Sequence, residues 1–230
     1  MRFHIITLFP NAFDSYLGES ILKRAIEGIK PRRPKGSGSR PQASGKIEVK
    51  FYNPRDFVVD KHKRIDRAPY GGGPGMVIQA EPVIKAVESC KLKEKKRKPL
   101  IVWLSPSGKQ FDTKIAKNYA KKYSDIIFIC GRYEGIDARV KKIYKVEEIS
   151  VGPFVLTGGE LPAMIIIDSV SRQIEGVLGD INSLEENRIA SADVYTRPES
   201  FKYKNKTYKV PKVLLSGHHQ KIDEWRNKKK

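Results

Sequence analysis

The chain has few cysteines, fewer acidic than basic residues and no long apolar run. Its 230 residues include two cysteines, Cys90 and Cys130, which form no CxxC pair and have no histidine cluster beside them. Neither a disulfide framework nor a structural zinc site is therefore expected. The apolar run at the amino terminus is cut off by Pro10, and no run is long enough to span a bilayer. We therefore predict a reduced, cytoplasmic protein with no membrane partner.

Several common catalytic motifs are also missing. No GxxxxGK[ST] sequence exists, and PYGGGPGM (residues 69–76) does not fit GxGxxG at the start of a helix. There is no GxSxG elbow, and the four histidines have no spacing typical of a catalytic triad or a metal cage. These gaps argue against nucleotide hydrolysis, dinucleotide redox chemistry, triad hydrolysis and metal catalysis, and we predict no metal-ligating residues.

Positive charge, by contrast, is abundant. The chain carries 45 Lys and Arg against 26 Asp and Glu, a formal net charge of +19. An excess of this size favours a polyanionic partner, and nucleic acid is the leading candidate, because each phosphate neutralised by Lys or Arg releases condensed counterions. A lysine-rich surface that contacts only solvent is the alternative, and composition alone does not decide between the two.

The order of apolar runs predicts an α/β protein. The hydrophobic fraction of 39% is enough for a packed core. Predicted strands cover residues 3–9, 47–52, 100–104 and 126–130, and predicted helices cover residues 14–29, 82–89, 112–123 and 162–174. Pro162 suits the first position of the last helix. Alternating strands and helices favour a mainly parallel sheet with helices on both faces.

The pattern also suggests a division of the chain. We predict a catalytic domain over residues 1–179, a linker over residues 180–192, and a small second unit over residues 193–230. The segment 31–46 is rich in Pro, Gly and Ser and carries only positive charge, which predicts a surface loop. This loop is either an inert insertion or a further contact for phosphates.

Three glycine-bearing turns follow or join buried segments. They are LSPSG (residues 104–108), CGRYEG (residues 130–135) and SVGPFVLTGGELP (residues 150–162). A parallel sheet would bring them together at the carboxyl ends of its strands, where α/β proteins bind ligands. Each glycine on its own is often only a turn residue. Together they predict a ligand crevice.

The sequences of these turns, together with other motifs along the chain, resemble those of a known family. The motifs, in chain order, are LFPNAF (8–13), PYGGGPGM (69–76), LSPSG (104–108), CGRYEGID (130–137), VLTGGELPAM (155–164), DSVSR (168–172), YTRP (195–198), VLLSGHH (213–219) and WR (225–226). Their order resembles that of the bacterial tRNA (guanine-N1)-methyltransferase (TrmD) family, of the SPOUT class, over nearly the whole chain.

The resemblance implies a specific fold and activity. The fold would contain a deep trefoil knot whose loops bind S-adenosylmethionine, in a homodimer with the active site between subunits. The reaction would transfer the sulfonium methyl to nitrogen 1 of the guanosine immediately 3′ of the anticodon, so the anticodon stem-loop of tRNA is the implied partner. The implied cofactor-binding residues are Leu104, Ser105, Pro106, Gly131, Tyr133, Glu134, Ser150, Val151, Gly152, Pro153, Phe154, Val155, Leu156, Gly158, Gly159 and Pro162.

The resemblance also suggests catalytic residues. Nitrogen 1 of guanine carries a proton, so the reaction needs a base and a cation that stabilises the charge spreading to the adjacent carbonyl oxygen. Arg172 matches the family's arginine, and an ion pair with Asp168 is its alternative role. Counted forward from Arg172 without gaps, the family's acidic position falls on Asn187, which cannot accept the proton. We predict that Glu186 or Asp193 is the base.

Other positions depart from the family pattern. Paired aspartates before PYGGG appear as Asp66 and Arg67, and the chain stops soon after Trp225, so we expect an abbreviated, mainly helical carboxyl-terminal unit that binds tRNA. Mg²⁺ is a possible cofactor that no ligand cluster in the sequence locates. Two other functions stay open: a knotted methyltransferase for another RNA, and a basic RNA-binding protein that has lost catalysis, for which Asn187 is the main argument.

Overall fold

The computed structural model describes residues 1–28, 45–90, 98–178 and 193–228. By its internal contacts the chain divides into two compact units, Met1–Leu178 and Gly179–Lys230. The predicted linker over residues 180–192 and nearly all of the basic segment 31–46 lie outside the described residues. Among the described residues, no helix is both long enough and apolar enough to cross a membrane.

Strands and helices alternate along the first unit. Its strands are β1 (Arg2–Ile6), β2 (Glu48–Tyr52), β3 (Asp66–Arg67), β4 (Val77–Ile78), β5 (Leu100–Gln110), β6 (Asp125–Ile129) and β7 (Glu147–Ser150). Its helices are α1 (Asp14–Leu17), α2 (Ser20–Glu27), α3 (Ala80–Glu88), α4 (Thr113–Lys122), α5 (Arg139–Ile143) and α6 (Glu160–Ser171), with short 3₁₀ turns at Pro10–Phe13 and Pro54–Phe57.

Five of these strands form one parallel sheet in the order β2-β1-β6-β5-β7. This confirms the α/β prediction. β6 is the central strand, and all five of its residues are buried, as expected for an apolar run in a sheet that is covered on both sides. The carboxyl ends of β6 and β7 and the middle of β5 lie at one edge of the sheet, and the three glycine-bearing segments begin there.

Two apolar clusters cover the two faces of the sheet. Phe3 and Ile5 of β1 belong to the cluster that also contains buried residues of α2, α4 and α6. Ile6 belongs to the other cluster, with buried residues of α3 and α5. The alternation follows from the strand geometry, in which successive side chains point to opposite faces.

The structure corrects several predicted boundaries. The predicted helix over residues 14–29 is two helices, because the N–H of Gly18 closes α1 on the carbonyl of Asp14 and Ser20 adopts a left-handed φ of 50°. Pro82 and Pro162 stand at the third helical position rather than the first, since α3 begins at Ala80 and α6 at Glu160. That position is still in the first turn, where a missing N–H breaks no intrahelical hydrogen bond. The short helix α5 and strand β7 were not predicted.

The second unit contains a β-hairpin as well as helices. Its strands are β8 (Ser200–Tyr203) and β9 (Lys206–Lys209), and its helices are α7 (Lys212–Leu215) and α8 (His219–Lys228). The indole of Trp225 on α8 meets the ring of Tyr195 edge to face, with 6.1 Å between centroids. The expectation of a mainly helical unit missed this hairpin, although β8 alternates polar and aromatic residues, because its strands are only four residues long, rich in lysine and exposed along their whole length.

Candidate active site

A cavity of about 390 Å³ lies at the carboxyl edge of the sheet. Its wall comes from a segment within β5 and from the two segments that follow β6 and β7, together with the start of α6. This is where open α/β sheets place ligands, because loops leave the strands there in different directions. The volume is within the range of small-molecule sites.

The first segment is a bulge within β5. Leu104 and Lys109 both pair with Ile149 of β7, so the residues between them loop out of the sheet. The hydroxyls of Ser105 and Ser107 lie 2.9 Å apart within this loop. The sequence predicted a turn here; the strand resumes after it, and the bulge projects Ser105 and Pro106 into the cavity wall.

The second segment, which follows β6, is fixed by hydrogen bonds to the last residue of PYGGGPGM and to β4. The N–H of Glu134 donates to the carbonyl of Met76 at 3.0 Å, and the N–H of Ile78 donates to the carbonyl of Gly135 at 3.0 Å. Tyr133 has a left-handed φ of 58°, which is uncommon for a residue with a bulky side chain. Tyr133 is 52% exposed and lines the cavity.

The third segment approaches the second closely. The N–H of Gly159 donates to the carbonyl of Gly131 at 2.9 Å. A Cβ on Gly159 would lie 2.6 Å from the Cα of Cys130, a distance that real side chains do not reach. Glycine is therefore required at position 159, because two backbones cross there.

A buried ion pair joins these two segments. The Nε atom of Arg132 lies 2.9 Å from Oε2 of Glu160, and Glu160 is 3% exposed. The other carboxylate oxygen of Glu160 accepts a hydrogen bond from the Thr7 hydroxyl at 2.7 Å. The guanidinium of Arg132 also lies over the ring of Phe9, 4.7 Å from its centroid. Segments from three parts of the sequence are thereby held together beside the cavity.

Cys130 lies against Gly159 at this crossing and is buried. Burial raises the pKa of its thiol well above the ordinary value, because a thiolate would lose its solvation there. The thiol therefore stays protonated at neutral pH and packs as a small apolar side chain.

The structure brings nearly all of the predicted cofactor residues together. Every one of them except Pro153 lines the cavity. Sequence reasoning missed other lining residues, namely Trp103, Arg132, Gly135, Ile136, Ala138, Lys141, Ile149 and Thr157. Arg132 and Gly135 stand within the motif CGRYEGID and could have been chosen from it. Lys141 could not, because it reaches the wall from α5, which was not predicted.

Of the predicted catalytic residues, Arg172 belongs to the unit that contains the cavity. Arg172 is half-buried and caps the carboxyl end of α6, whereas the cavity lies at the amino end of that helix. The carboxylate of Asp168, its alternative partner, accepts a hydrogen bond from the hydroxyl of Tyr16 at 2.5 Å. Asp193 is exposed in the second unit, and Glu186 lies outside the described residues. Within the described ranges, no three His, Cys, Asp or Glu side chains form a group that could hold a metal ion.

Comparison with known proteins extends over the whole chain. The family described as tRNA (Guanine-1)-methyltransferase TrmD matches residues 1–230. A tRNA (guanine-N(1)-)-methyltransferase of Clostridioides difficile is 46% identical over 230 residues, which cover 98% of this chain and 90% of that protein. Proteins with the same description from Dictyoglomus turgidum and Carboxydothermus hydrogenoformans are 45% and 44% identical, and each match covers 99% of this chain and 84% and 82% of the relative, respectively.

These matches include the segments that form the cavity and cover nearly the whole chain. The chain therefore belongs to the TrmD family of tRNA (guanine-N1)-methyltransferases.

Proposed function

We propose that this tRNA (guanine-N1)-methyltransferase binds S-adenosylmethionine in the cavity between the three glycine-bearing segments. The enzyme methylates nitrogen 1 of the guanosine immediately 3′ of the anticodon, and enzymes of its family use S-adenosylmethionine. The observation that carries the proposal is that three distant segments of the chain converge on one cavity. Residues 104–106, 131–134 and 150–159 are far apart in sequence, yet all three segments contribute to one cavity wall.

The residues of the cavity fit this donor. Trp103, Leu104 and Ile149 give the wall an apolar part, which suits the flat face of adenine. The glycines of the second and third segments allow main-chain polar groups to approach a ligand closely. Glu134 gives the lining a negative charge that suits the sulfonium and ammonium groups. Arg132 and Lys141 give it positive charge that suits the carboxylate, and each is also paired with a glutamate of the protein. When bound, the donor supplies an electrophilic methyl group.

We further propose that the segments around the cavity are the threaded loops of a trefoil knot. The backbone crossing between Gly159 and Cys130 supports this, because the chain after β7 passes directly against the chain after β6. Knots are rare among protein folds, so the family membership carries much of the argument.

Arg172 is proposed to stabilise the negative charge that develops on the guanine carbonyl oxygen. It stands ten positions after Pro162, which corresponds to about 15 Å along α6 at 1.5 Å per residue. The Arg172 of one subunit is therefore remote from its own cavity. In a homodimer, the Arg172 of one subunit could instead reach the cavity of the partner subunit.

The surface of α6 supports such a dimer. Leu161 and Ile165 on this helix are 50% and 41% exposed, and Tyr16, whose hydroxyl binds Asp168 of the same helix, is 48% exposed. Neighbouring exposed apolar side chains of this kind are typical of a surface that a partner covers. We propose that a second copy of the chain covers it.

The proton acceptor is proposed to be Glu186 or Asp193. Single-turnover methyl transfer by Glu186→Gln and Asp193→Asn tests the assignment, since the variant that loses its base should be slower by at least two orders of magnitude. Near-normal rates in both variants would remove the proposal. Dependence on Mg²⁺ is a separate expectation, which chelation with EDTA in the same assay tests.

A labelled-methyl assay tests the function itself. Two tRNA transcripts that differ only in having guanosine or adenosine 3′ of the anticodon are incubated with the protein and labelled S-adenosylmethionine. We expect label only in the transcript with guanosine, at nitrogen 1. Equal labelling of both transcripts would indicate another target nucleotide, and binding without labelling would indicate a protein that has lost catalysis.

A further inference from the structure

The β8–β9 hairpin of the second unit has two chemically different faces. It closes through a two-residue turn in which both Lys204 and Asn205 have positive φ, 42° and 61°, the geometry of a type I′ turn. Cross-strand partners share a face, and successive residues alternate between faces. Phe201 pairs with Tyr208 and Tyr203 with Lys206, so all three aromatic residues of the hairpin lie on one face.

This aromatic face is open. Phe201 and Tyr203 are each 58% exposed and Tyr208 is 43% exposed. The rings of Phe201 and Tyr208 are stacked, with 5.5 Å between centroids and 17° between planes. The ammonium group of Lys206 lies 5.6 Å from the Tyr208 ring. Exposed apolar side chains that adjoin one another mark interaction sites on soluble proteins. The three aromatic rings and the neighbouring cation therefore indicate a partner.

The charge around the hairpin identifies the class of partner. Residues 200–222 contain no Asp or Glu and six lysines, at positions 202, 204, 206, 209, 212 and 221. Self-association through the hairpin would bring two sets of these lysines together. A polyanion with flat apolar groups fits both features, because lysines neutralise phosphates while unpaired bases stack on aromatic rings.

We infer that the aromatic face, defined by Phe201, Tyr203, Lys206 and Tyr208, is a stacking surface for unpaired nucleotides of the tRNA substrate. The inference rests on the proposed function for the identity of the RNA. Proteins read single-stranded RNA loops in this way, since the bases there are free to stack on side chains. The opposite face, with Lys202 and Lys209, contributes only general attraction.

The two faces provide a matched comparison. The aromatic-face variant combines Tyr203→Thr with Lys206→Gln and keeps the Phe201–Tyr208 pair that joins the strands. The opposite-face variant combines Lys202→Gln with Lys209→Gln and removes one more positive charge. Affinity for an unmodified tRNA transcript is measured by filter binding at low and high salt, with S-adenosylmethionine binding measured separately by calorimetry.

We expect the aromatic-face variant to bind tRNA about tenfold more weakly, a typical effect of losing one stacked base. Part of this loss should persist at high salt, because stacking is not screened. The opposite-face variant should lose less, despite its larger change in charge, and its loss should vanish at high salt. S-adenosylmethionine binding should be unchanged in both. An equal or larger loss in the opposite-face variant would overturn the inference.

Fluorescence gives a second measurement that does not depend on affinity. Tyr203→Trp places an indole on the aromatic face, and Thr207→Trp places one on the opposite face. Addition of tRNA should quench the first indole and leave the second nearly unchanged, since stacking requires direct contact. Equal responses from the two indoles would contradict a face-specific contact.

The outcomes separate this inference from the proposed function. Wild-type methylation together with wild-type tRNA affinity in the aromatic-face variant would overturn the stacking surface alone. Face-specific tRNA binding by a wild-type protein that transfers no methyl group would overturn the proposed function and keep the surface. A dimer that becomes a monomer in the aromatic-face variant, measured by light scattering, would assign this face to self-association and overturn the inference.

Discussion

Arg132 and Glu160 form the ion pair that joins the second and third segments of the cavity. Their side chains differ in exposure, 25% for Arg132 and 3% for Glu160. Removing Arg132 would leave a carboxylate buried without its cation, which is among the most destabilising changes known for an ion pair. Removing Glu160 would leave a guanidinium that water can partly reach.

We therefore predict that Arg132→Met lowers the free energy of unfolding by about 3–5 kcal/mol, and Glu160→Gln by only about 1–2 kcal/mol. Urea denaturation followed by circular dichroism measures both. Glutamine keeps an acceptor for the Thr7 hydroxyl, so this comparison isolates the loss of charge. A larger loss for Glu160→Gln than for Arg132→Met would contradict the account of the pair.

His4 is a buried titratable group remote from the cavity. Its ring hydrogen-bonds to the Tyr52 hydroxyl and the Asp125 carboxylate, each at 3.0 Å. Burial lowers the pKa of His4 from its ordinary value of 6.5, with Asp125 opposing the shift and the charges of Arg2 and Lys50 adding to it. The neutral imidazole is therefore the form that the folded state favours.

The direction of this shift predicts how stability depends on pH. Above the unfolded pKa of about 6.5, His4 is neutral in both states and its contribution is complete. As the pH falls through that value, the unfolded chain binds a proton first, so the free energy of unfolding decreases. We predict a smaller decrease between about pH 7.5 and 5.5 for His4→Asn than for wild type in urea denaturation. Parallel curves would show that His4 does not titrate in this way.

At the scale of elements, the crossing of two loops sets the shape of the cavity. Gly159 and Gly131 face each other across it, but the space around them differs. A Cβ on Gly159 would lie 2.6 Å from the Cα of Cys130, whereas a Cβ on Gly131 would meet the Ile136 side chain at an ordinary 3.6 Å.

We predict that Gly159→Ala destabilises the protein by at least about 2 kcal/mol, because the backbones must separate. Gly131→Ala, a change of the same size in the neighbouring loop, should stay within about 1 kcal/mol of wild type. Thermal and urea unfolding of the two variants provide the comparison. Similar stabilities would mean that the loops separate at little cost.

The elements also show what the sequence could predict. The buried runs of β5 and β6 and the apolar stripe of α6 were predictable because periodicity and composition agreed there. The glycine-bearing segments were predicted to converge, since parallel strands end at a common edge. β7 was missed because its four residues, EEIS, combine two acidic residues with a short apolar pair, and its pairing with β5 is decided by tertiary contacts.

Individual contacts were less accessible than elements. The ion pair between Arg132 and Glu160 joins residues 28 positions apart, and no periodicity relates them. Lys141 lines the cavity because α5 turns the chain back towards β5, where its ammonium group lies 2.8 Å from Glu148. Such contacts depend on how loops cross, which composition and spacing do not encode.

At the scale of the whole molecule, the distance between Arg172 and the cavity of its own subunit predicts that two subunits assemble each active site. If two subunits share each active site, a subunit that lacks Arg172 and a subunit with a defective cavity can complement each other. Arg172→Ala and Glu134→Ala are each predicted to have little activity alone. Mixed dimers contain one site with both residues intact, so co-refolding the two variants should restore up to about a quarter of wild-type activity.

The control for this experiment is a mixture of each variant with itself, carried through the same refolding. Activity in the mixture no higher than the sum of the separate variants would place Arg172 and Glu134 in the same subunit's site. It would leave the cavity assignment in place and remove the shared-site arrangement.

The proposed activity of the cavity depends most on the identity of its ligand. A crystal structure of the protein soaked or co-crystallised with S-adenosylhomocysteine, the product of methyl transfer, tests it most directly. We predict density for the nucleoside between Pro106, Tyr133 and Phe154, with its adenine against the main chain of the third segment. Saturating ligand that leaves this cavity empty, or that binds at another face of the protein, would contradict the account.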